Sequence, residues 1–297
     1  MAKDYRELPK LRDSLSYLYL DYCRIEQEGK AIASYDAIGR TRIPCASLSL
    51  LILGPGTSIT HEAVKSVALN GCSIIWGGEE CVRFYAQGVG ETRKSSRLLN
   101  QAKRVSDSGM RLDTARRMYS YRFPDDVKVS SMGIDEMKGY EGIRVRSAYS
   151  RLSKEYGVPW KGRSYKRDDW NVSDPINKAL SAANSCLYGI CHAAIVSVGC
   201  STGLGFIHSG KQLSFVYDIA DLYKTDISMP VAFSVASSVE ESIDKAVRIS
   251  LRDEFRKQRL LSRIVDDIDH VLDYQNNEED SSFDVDSALP SSLWNGQ

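Results

Sequence analysis

The larger part of this fold is decided by residues 174–199, which read DPINKALSAANSCLYGICHAAIVSVG. Asp174 and Pro175 are typical of a helix start, because a capping carboxylate often precedes a proline at the first helical position. The residues that follow are mostly apolar, and several of them are small, namely Ala182, Ala183, Cys186, Ala193 and Ala194. Small side chains let neighbouring helices approach closely, so the stretch predicts a long, buried helix.

Apolar residues also recur at helical spacing on both sides of this stretch. The pattern predicts further helices within residues 95–105, 112–121, 134–156, 238–255 and 260–274. These helices would surround the buried one. We therefore expect a larger all-α domain over residues 91–275, and this domain carries the candidate catalytic residues described below.

The first part of the chain reads as strands. Residues 15–53 alternate and turn like a β-meander, and strand patterns return at residues 72–76 and 82–85. Between them, Thr60 is a typical N-cap for a short helix that stops at Asn70 and Gly71.

Glycine-rich residues 87–90 form the predicted boundary between the two parts. The fold class is thus α+β, with a small β-rich N-terminal domain over residues 1–90 ahead of the all-α domain. Residues 276–297 are acidic and serine-rich, and they predict a flexible C-terminal tail.

The charge of the chain is unevenly distributed, although its 39 Lys and Arg residues balance its 39 Asp and Glu residues. Residues 138–167 contain nine Lys and Arg side chains against two acids, whereas residues 266–286 contain nine acids and no Lys or Arg. Local charge decides where DNA binds. The basic segment is therefore compatible with a nucleic-acid partner despite the zero net charge.

The cysteines and the N-terminus indicate the compartment. Seven cysteines form no Cys-x-x-Cys pair and no zinc-like spacing, which predicts reduced, buried thiols. The charged N-terminus does not resemble a secretory signal, and no apolar run reaches the length of a membrane span. We expect a cytoplasmic protein that does not enter a membrane.

A histidine and two carboxylates lie close together in the sequence. His208 stands in a glycine-flanked segment, and Asp218 and Asp221 would share one helix face if residues 215–224 are helical. Glu141, in a basic segment, is the best candidate for a third ligand. Carboxylates and an imidazole suit Mg²⁺ or Mn²⁺, and such an ion beside basic residues indicates phosphodiester chemistry.

Each of these residues also has a structural explanation. His208 alone fits a hydrogen-bonded structural histidine, and the Asp218/Asp221 pair fits a solvated helix face. Glu141 would be paired with Arg144 within its helix. The apolar neighbours of the aspartates favour a partly buried helix instead, where two unpaired acids would repel each other unless a cation were bound.

Aromatic and basic residues alternate between Trp160 and Trp170. In a DNA-binding loop, Arg163 would hold a phosphate while Tyr165 or Trp170 stacks on a base. A solvated basic loop is the alternative.

Three segments, containing Glu141, His208 and the Asp218/Asp221 pair, resemble in their order and spacing the CRISPR-associated spacer integrases, most closely those of subtype I-E. The likeness extends over nearly the whole chain, through Tyr22, residues 54–57, Val82-Arg83, Tyr188-Gly189, Arg252-Asp253 and Phe255. The resemblance implies that Glu141, His208 and Asp221 are metal ligands and that Asp218 supports them.

The resemblance also implies a function. The protein would insert short DNA fragments into a CRISPR array by attack of a 3′-hydroxyl on a phosphodiester. It would act as a homodimer with a small ferredoxin-like CRISPR-associated partner, on double-stranded DNA with splayed or single-stranded 3′ ends and on CRISPR repeat DNA. Besides Arg163, Tyr165 and Trp170, the expected DNA contacts are Tyr22, Arg83, Tyr188, Lys211, Tyr217 and Lys224.

Two other functions stay open. A metal-dependent nuclease of branched DNA would use the same site with water as the nucleophile. A non-catalytic DNA-binding scaffold would keep the fold without the chemistry.

Overall fold

The computed structural model describes residues 17–29, 31–45, 48, 50–78, 83–88, 95–123, 131–163, 174–238 and 242–275. Tyr165, Trp170 and the tail predicted over residues 276–297 lie outside the described residues. Within the described ranges, a β-rich region precedes a helical region, as the sequence predicts.

The strands of the N-terminal region form two four-stranded sheets. The first sheet has the order β1 (Tyr17–Leu20), β5 (Leu50–Leu53), β7 (Ser73–Gly77) and β8 (Phe84–Gly88). The second sheet has the order β4 (Arg40–Ile43), β3 (Ala31–Tyr35), β2 (Arg24–Glu28) and β6 (Ser58–Ile59). The predicted meander is therefore wrong in part. Strands β2, β3 and β4 pair antiparallel, but β1 pairs in parallel with β5, in the other sheet.

Strand β5 explains how the first sheet joins the two regions. All four of its residues are buried. Leu51 and Leu53 belong to the core of the β-rich region, whereas Leu50 and Ile52 belong to the core of the helical region. A strand that is buried on both faces reads as a continuous apolar run, as this one does.

Helix α1 (His61–Leu69) packs against the second sheet, on β2 and β3. Its predicted N-cap is confirmed, because Thr60 accepts a hydrogen bond from the Ala63 N–H. The helix ends at the predicted Asn70.

The helical region contains eight α-helices among the described residues. They are α2 (Ser96–Ser106), α3 (Ser108–Arg122), α4 (Ile134–Tyr156), α5 (Pro175–Ser197), α6 (Ser214–Asp221), α7 (Met229–Ser238), α8 (Ile243–Lys257) and α9 (Leu260–Val271). A short π-helix, Lys224–Ser228, separates α6 from α7. The sequence pattern missed the π-helix and α7.

Helix α5 is the buried helix that the opening stretch predicts. Asp174 caps it by accepting from the Asn177 N–H, and α6, α7, α8 and α9 all pack against it. It is also the one described helix that is long and apolar enough to cross a membrane, but 67% of its most apolar window is buried inside the protein. Its place in the core explains its composition.

The β-rich and helical regions meet where β8 lies against α5. The Phe84 ring stacks on the His192 ring with centroids 3.6 Å apart and planes 12° apart. Burial lowers the pKa of the His192 imidazole to about 4. A neutral aromatic pair therefore forms part of this junction.

Candidate metal and DNA site

His208 lies in the loop between α5 and α6, and Asp218 of α6 organises that loop. The Asp218 side chain is 0% exposed. Its oxygens accept from the backbone N–H groups of Phe206 at 2.6 Å, Ile207 at 3.1 Å and His208 at 2.9 Å. One carboxylate thus satisfies three consecutive backbone donors, which fixes the loop against the helix.

Asp218 also sets the protonation of the His208 ring. Its Oδ1 lies 2.7 Å from His208 Nδ1. Because a carboxylate only accepts, Nδ1 carries the proton and Nε2 keeps the lone pair that a metal would need. This hydrogen bond raises the pKa of the His208 imidazole, against the effect of partial burial.

Two side chains that no sequence motif indicates also form hydrogen bonds with the loop that carries His208. Gln101 is fully buried in α2, donates to the carbonyls of Ser201 and Leu204, and accepts from the Ser201 N–H. Arg111 of α3 donates to the Phe206 carbonyl. A glutamine on an amphipathic helix carries no signal for a loop 100 residues away, so only the structure identifies it.

Asp221 is the last residue of α6 and lies beside Lys224, the first residue of the π-helix. Lys224 Nζ is 2.5 Å from Asp221 Oδ1. The two form an ion pair, yet buried Oδ1 accepts no well-directed hydrogen bond from the described residues. π-Helical turns frequently occur at functional sites, and here one follows the candidate ligand directly.

Aromatic rings connect His208 to Lys224. The His208 ring lies against Tyr217 with centroids 5.8 Å apart, and Tyr217 contacts Tyr188 edge-on at 5.1 Å. Lys224 Nζ lies 5.0 Å from the Tyr188 ring centre, and Lys211 Nζ lies 5.9 Å from that of Tyr217. Four of the residues predicted to contact DNA are therefore neighbours of His208 and Asp221.

Glu141 of α4 contacts side chains of α3. The i+3 spacing predicts Arg144, on α4 itself, as its partner instead. Tyr119 donates to Glu141 Oε2 at 2.8 Å, and Arg122 Nη2 donates to Oε1 at 2.6 Å. The Arg144 guanidinium instead lies 4.4 Å from the centre of the Phe123 ring. Both oxygens of this candidate ligand are thus engaged by its own chain.

Arg122 is the least expected member of the site. Its side chain is 3% exposed, and its Nε and Nη1 have no hydrogen-bond partner among the described residues. The charges of Asp221 and Glu141 raise the pKa of the Arg122 guanidinium against the effect of burial. Arg122 therefore links the two candidate ligands electrostatically.

The candidate ligands Glu141, His208 and Asp221 suit a hard divalent ion in their chemistry, but their side chains are not arranged around a common point. Two carboxylates and an imidazole are the ligand types that Mg²⁺ or Mn²⁺ accepts. Asp221 Oδ1, which contacts Lys224 but accepts no well-directed hydrogen bond from the described residues, supports such an ion. Among the described residues, however, no three His, Cys, Asp or Glu side chains form a ready-made metal cluster. Glu141 would have to leave its present partners to complete one.

The other predicted DNA contacts among the described residues, Tyr22, Arg83 and Arg163, make their described hydrogen bonds elsewhere. Tyr22 is 67% exposed on left-handed backbone (φ 45°), and its N–H donates to the Pro55 carbonyl. Arg83 is exposed just before β8. Arg163 makes long contacts of 3.4–3.5 Å with Asn177.

Comparisons with known proteins agree on one family. The sequence profile described as CRISPR associated protein Cas1 matches residues 125–261. The CRISPR-associated endonuclease Cas1 2 of Thermus thermophilus is 47% identical over 99% of this chain and 90% of its own length. The CRISPR-associated endonuclease Cas1 of Escherichia coli is 43% identical over 75% of this chain and 73% of its own length.

Solved structures agree with these sequence matches. The crystal structure of a TtCas1–DNA complex matches with a TM-score of 0.82 and 49% identity, over 89% of this chain and 99% of the other. A casposase bound to its integration product matches with a TM-score of 0.61 at 14% identity, over 88% of this chain and 97% of the other, and shows a shared fold.

Proposed function

Because this chain belongs to the Cas1 family, we propose that it is a metal-dependent DNA integrase that inserts short foreign DNA fragments into a CRISPR array. Its curated relatives carry the name endonuclease, and a relative has been solved bound to DNA. Both facts support an enzyme that acts on phosphodiesters.

One observation carries the proposal. Buried Asp221 Oδ1 is in ion-pair contact with Lys224 Nζ but accepts no well-directed hydrogen bond from the described residues, although buried acceptors nearly always do. The same carboxylate acts electrostatically on His208, whose ring is oriented by Asp218. A divalent ion held by Asp221, His208 and Glu141 would share this oxygen with Lys224.

The residues would divide the work as follows. The ion, when bound, would act as a Lewis acid on the phosphodiester under attack by the 3′-hydroxyl. Asp218 keeps the His208 Nε2 lone pair available. Lys224, held between Asp221 and the Tyr188 ring, and Lys211, beside Tyr217, supply positive charge for phosphate oxygens.

We also propose DNA contacts outside the metal site, and protein partners. Tyr22, with its exposed ring, together with Arg83 and Arg163, would contact double-stranded DNA that has splayed or single-stranded 3′ ends. We further propose a cytoplasmic homodimer that acts on CRISPR repeat DNA with a small ferredoxin-like CRISPR-associated partner.

The test is strand transfer of a short duplex into a supercoiled plasmid containing the repeat, with Mg²⁺, Mn²⁺ or EDTA. An integrase joins the fragment only with metal. A nuclease of branched DNA cuts without joining, and a scaffold binds without either reaction.

Asp221→Ala should abolish joining, because it removes a proposed metal ligand, while DNA affinity stays within a few-fold. Asp226→Ala is the matched control, since Asp226 is exposed on the adjoining π-helix. Joining by Asp221→Ala at the control rate in saturating Mn²⁺ would overturn the role of Asp221.

A further inference from the structure

Glu141 is held by two donors at once, one on each carboxylate oxygen. Tyr119 and Arg122 occupy one oxygen each, at 2.8 Å and 2.6 Å. The Glu141 side chain is only 19% exposed, so water competes weakly for these bonds. Hydrogen bonds to a charged group are stronger than those between neutral groups, and this carboxylate has one from a full cation.

Arg122 has few alternatives to Glu141 within the described residues. Its guanidinium lies over the Tyr119 and Phe123 rings, at 5.6 Å and 5.3 Å from their centres. Its Nε and Nη1 are buried without hydrogen-bond partners. The Arg122 guanidinium can therefore stay against the two rings when Glu141 leaves. Its Nε and Nη1 are then available to donate to another acceptor.

Two of the carboxylates of the site are each paired with a cation of the chain. Glu141 is paired with Arg122, and Asp221 is paired with Lys224. Both carboxylates raise the pKa of the Arg122 guanidinium, and Glu141 also contacts it directly. Charges interact more strongly in a buried, low-dielectric site than in water. This strengthens the attraction between Arg122 and Glu141, and it equally strengthens the repulsion between Arg122 and a divalent cation.

We propose that Arg122 is an internal counter-ion that competes with the divalent ion for Glu141, so that metal binds only as the Arg122–Glu141 pair opens. Tyr119 supports the closed pair from the other carboxylate oxygen. The inference rests on the proposed metal-dependent function, and it assigns to Arg122 and Tyr119 control over metal affinity, with no part in the reaction itself.

The opposite role would be that of a positioning residue, in which Arg122 holds Glu141 ready for the metal. The two roles predict opposite effects on metal affinity. Removing a competitor tightens Mn²⁺ binding, whereas removing a positioning residue weakens it.

The experiment measures Mn²⁺ binding to the full chain without DNA, by calorimetry and by electron paramagnetic resonance of free Mn²⁺. Arg122→Met should bind Mn²⁺ at least about tenfold more tightly than the unaltered protein, because a buried cation no longer competes. Tyr119→Phe keeps the ring and removes only the hydroxyl, so it should tighten binding by a smaller, few-fold factor.

Arg116→Met is the matched control on the same helix. Arg116 donates to the Met132 carbonyl and touches neither Glu141 nor Asp221 in the described contacts, so its loss should leave Mn²⁺ affinity unchanged. Circular dichroism establishes whether each variant is folded. If Arg122→Met does not fold, Tyr119→Phe decides the question. Equal or weaker Mn²⁺ binding by the folded variants overturns the proposal.

Glu141→Gln separates this failure from failure of the proposed function. If Glu141→Gln loses Mn²⁺ binding while Arg122→Met fails to tighten it, Glu141 is a ligand and only the competition is wrong. If neither the unaltered protein nor Arg122→Met binds Mn²⁺, the metal-dependent function fails as well.

Discussion

At the scale of single residues, Asp218 has two tasks: it orients the His208 ring, and it holds the backbone of the loop that carries His208. It is buried, and it accepts from three backbone N–H groups and from the His208 ring. The helical spacing of Asp218 and Asp221 predicts that both face one direction. It does not predict that they divide their tasks, with Asp218 facing the loop and Asp221 facing Lys224.

Asp218→Asn should therefore destabilise the fold as well as slow joining. An amide presents two N–H donors to backbone donors that need an acceptor, at a cost of about 1–3 kcal/mol for the groups left unsatisfied. Urea unfolding measures this loss, with Asp226→Asn as the exposed control. If Asp218→Asn and the control unfold at the same urea concentration, Asp218 does not hold the loop.

The partner of Glu141 shows where sequence reasoning ends at this scale. Within one helix, Arg144 is the expected neighbour at i+3. The real partner, Arg122, comes from another helix, 19 residues earlier. No periodicity within α4 contains that information, because helix packing alone brings the two side chains together.

At the scale of elements, α2 acts as a brace for the loop that carries His208. Gln101→Leu should remove three hydrogen bonds to residues 201–204 and leave the partner groups unpaired. We expect faster amide hydrogen exchange over residues 201–208 and weaker Mn²⁺ binding.

Asn100→Ala is the neighbouring control, because Asn100 bonds to the Leu272 carbonyl and not to the loop. Exchange in residues 201–208 that is the same in both variants would show that Gln101 only fills space.

The junction between β8 and α5 makes stability depend on pH. Burial lowers the pKa of folded His192 to about 4, whereas an unfolded histidine titrates near about 6.5. The unfolded chain therefore binds the proton more tightly. The contribution is complete above about pH 6.5 and is lost as the pH falls towards about 4.

His192→Phe tests this dependence, because it keeps a ring against Phe84 and removes the titration. Between pH 7 and pH 5, the melting temperature of the unaltered protein should fall further than that of His192→Phe. Parallel curves would show that His192 does not contribute to acid sensitivity.

The predicted elements succeeded where their signals are local. The apolar spacing predicts a helix over residues 134–156, and α4 spans Ile134–Tyr156, with Gly133 before it and left-handed Gly157 at its end. The meander prediction failed at β1, whose partner is β5, 33 residues further along. Whether β1 forms a hairpin or a parallel pair depends on which of its faces become buried in the folded protein. The alternation of residues within β1 does not show which pairing forms.

At the scale of the whole molecule, the chain is closed by contacts between α2 and the end of α9. Arg97 forms two hydrogen bonds with Asp269, Ser96 bonds to Tyr274, and Arg104 pairs with Asp273. These contacts join residues about 170 positions apart and end just before the acidic tail. The domain boundary near residues 87–90 stays a proposal, since the first sheet contributes to both cores.

Removing residues 276–297 should leave the melting temperature unchanged, because the closing contacts remain. It should weaken association with the proposed ferredoxin-like partner before it affects joining of a pre-made fragment. Removing residues 269–297 instead takes away the Asp269, Asp273 and Tyr274 contacts and should lower the melting temperature. Pull-down, melting and strand transfer on both truncations provide the test, and normal partner binding by the shorter deletion would reduce the tail to a solubility segment.

The contacts between α2 and the end of α9 also have a consequence for synthesis on the ribosome. Non-local contacts form late, and a chain is made from its N-terminus onwards. The segment around Glu141 emerges early, but α2 gains its last partners only when residues 269–274 have been translated. Since α2 braces the His208 loop, we expect this loop to be less ordered in a chain that ends before residue 269 than in the full chain.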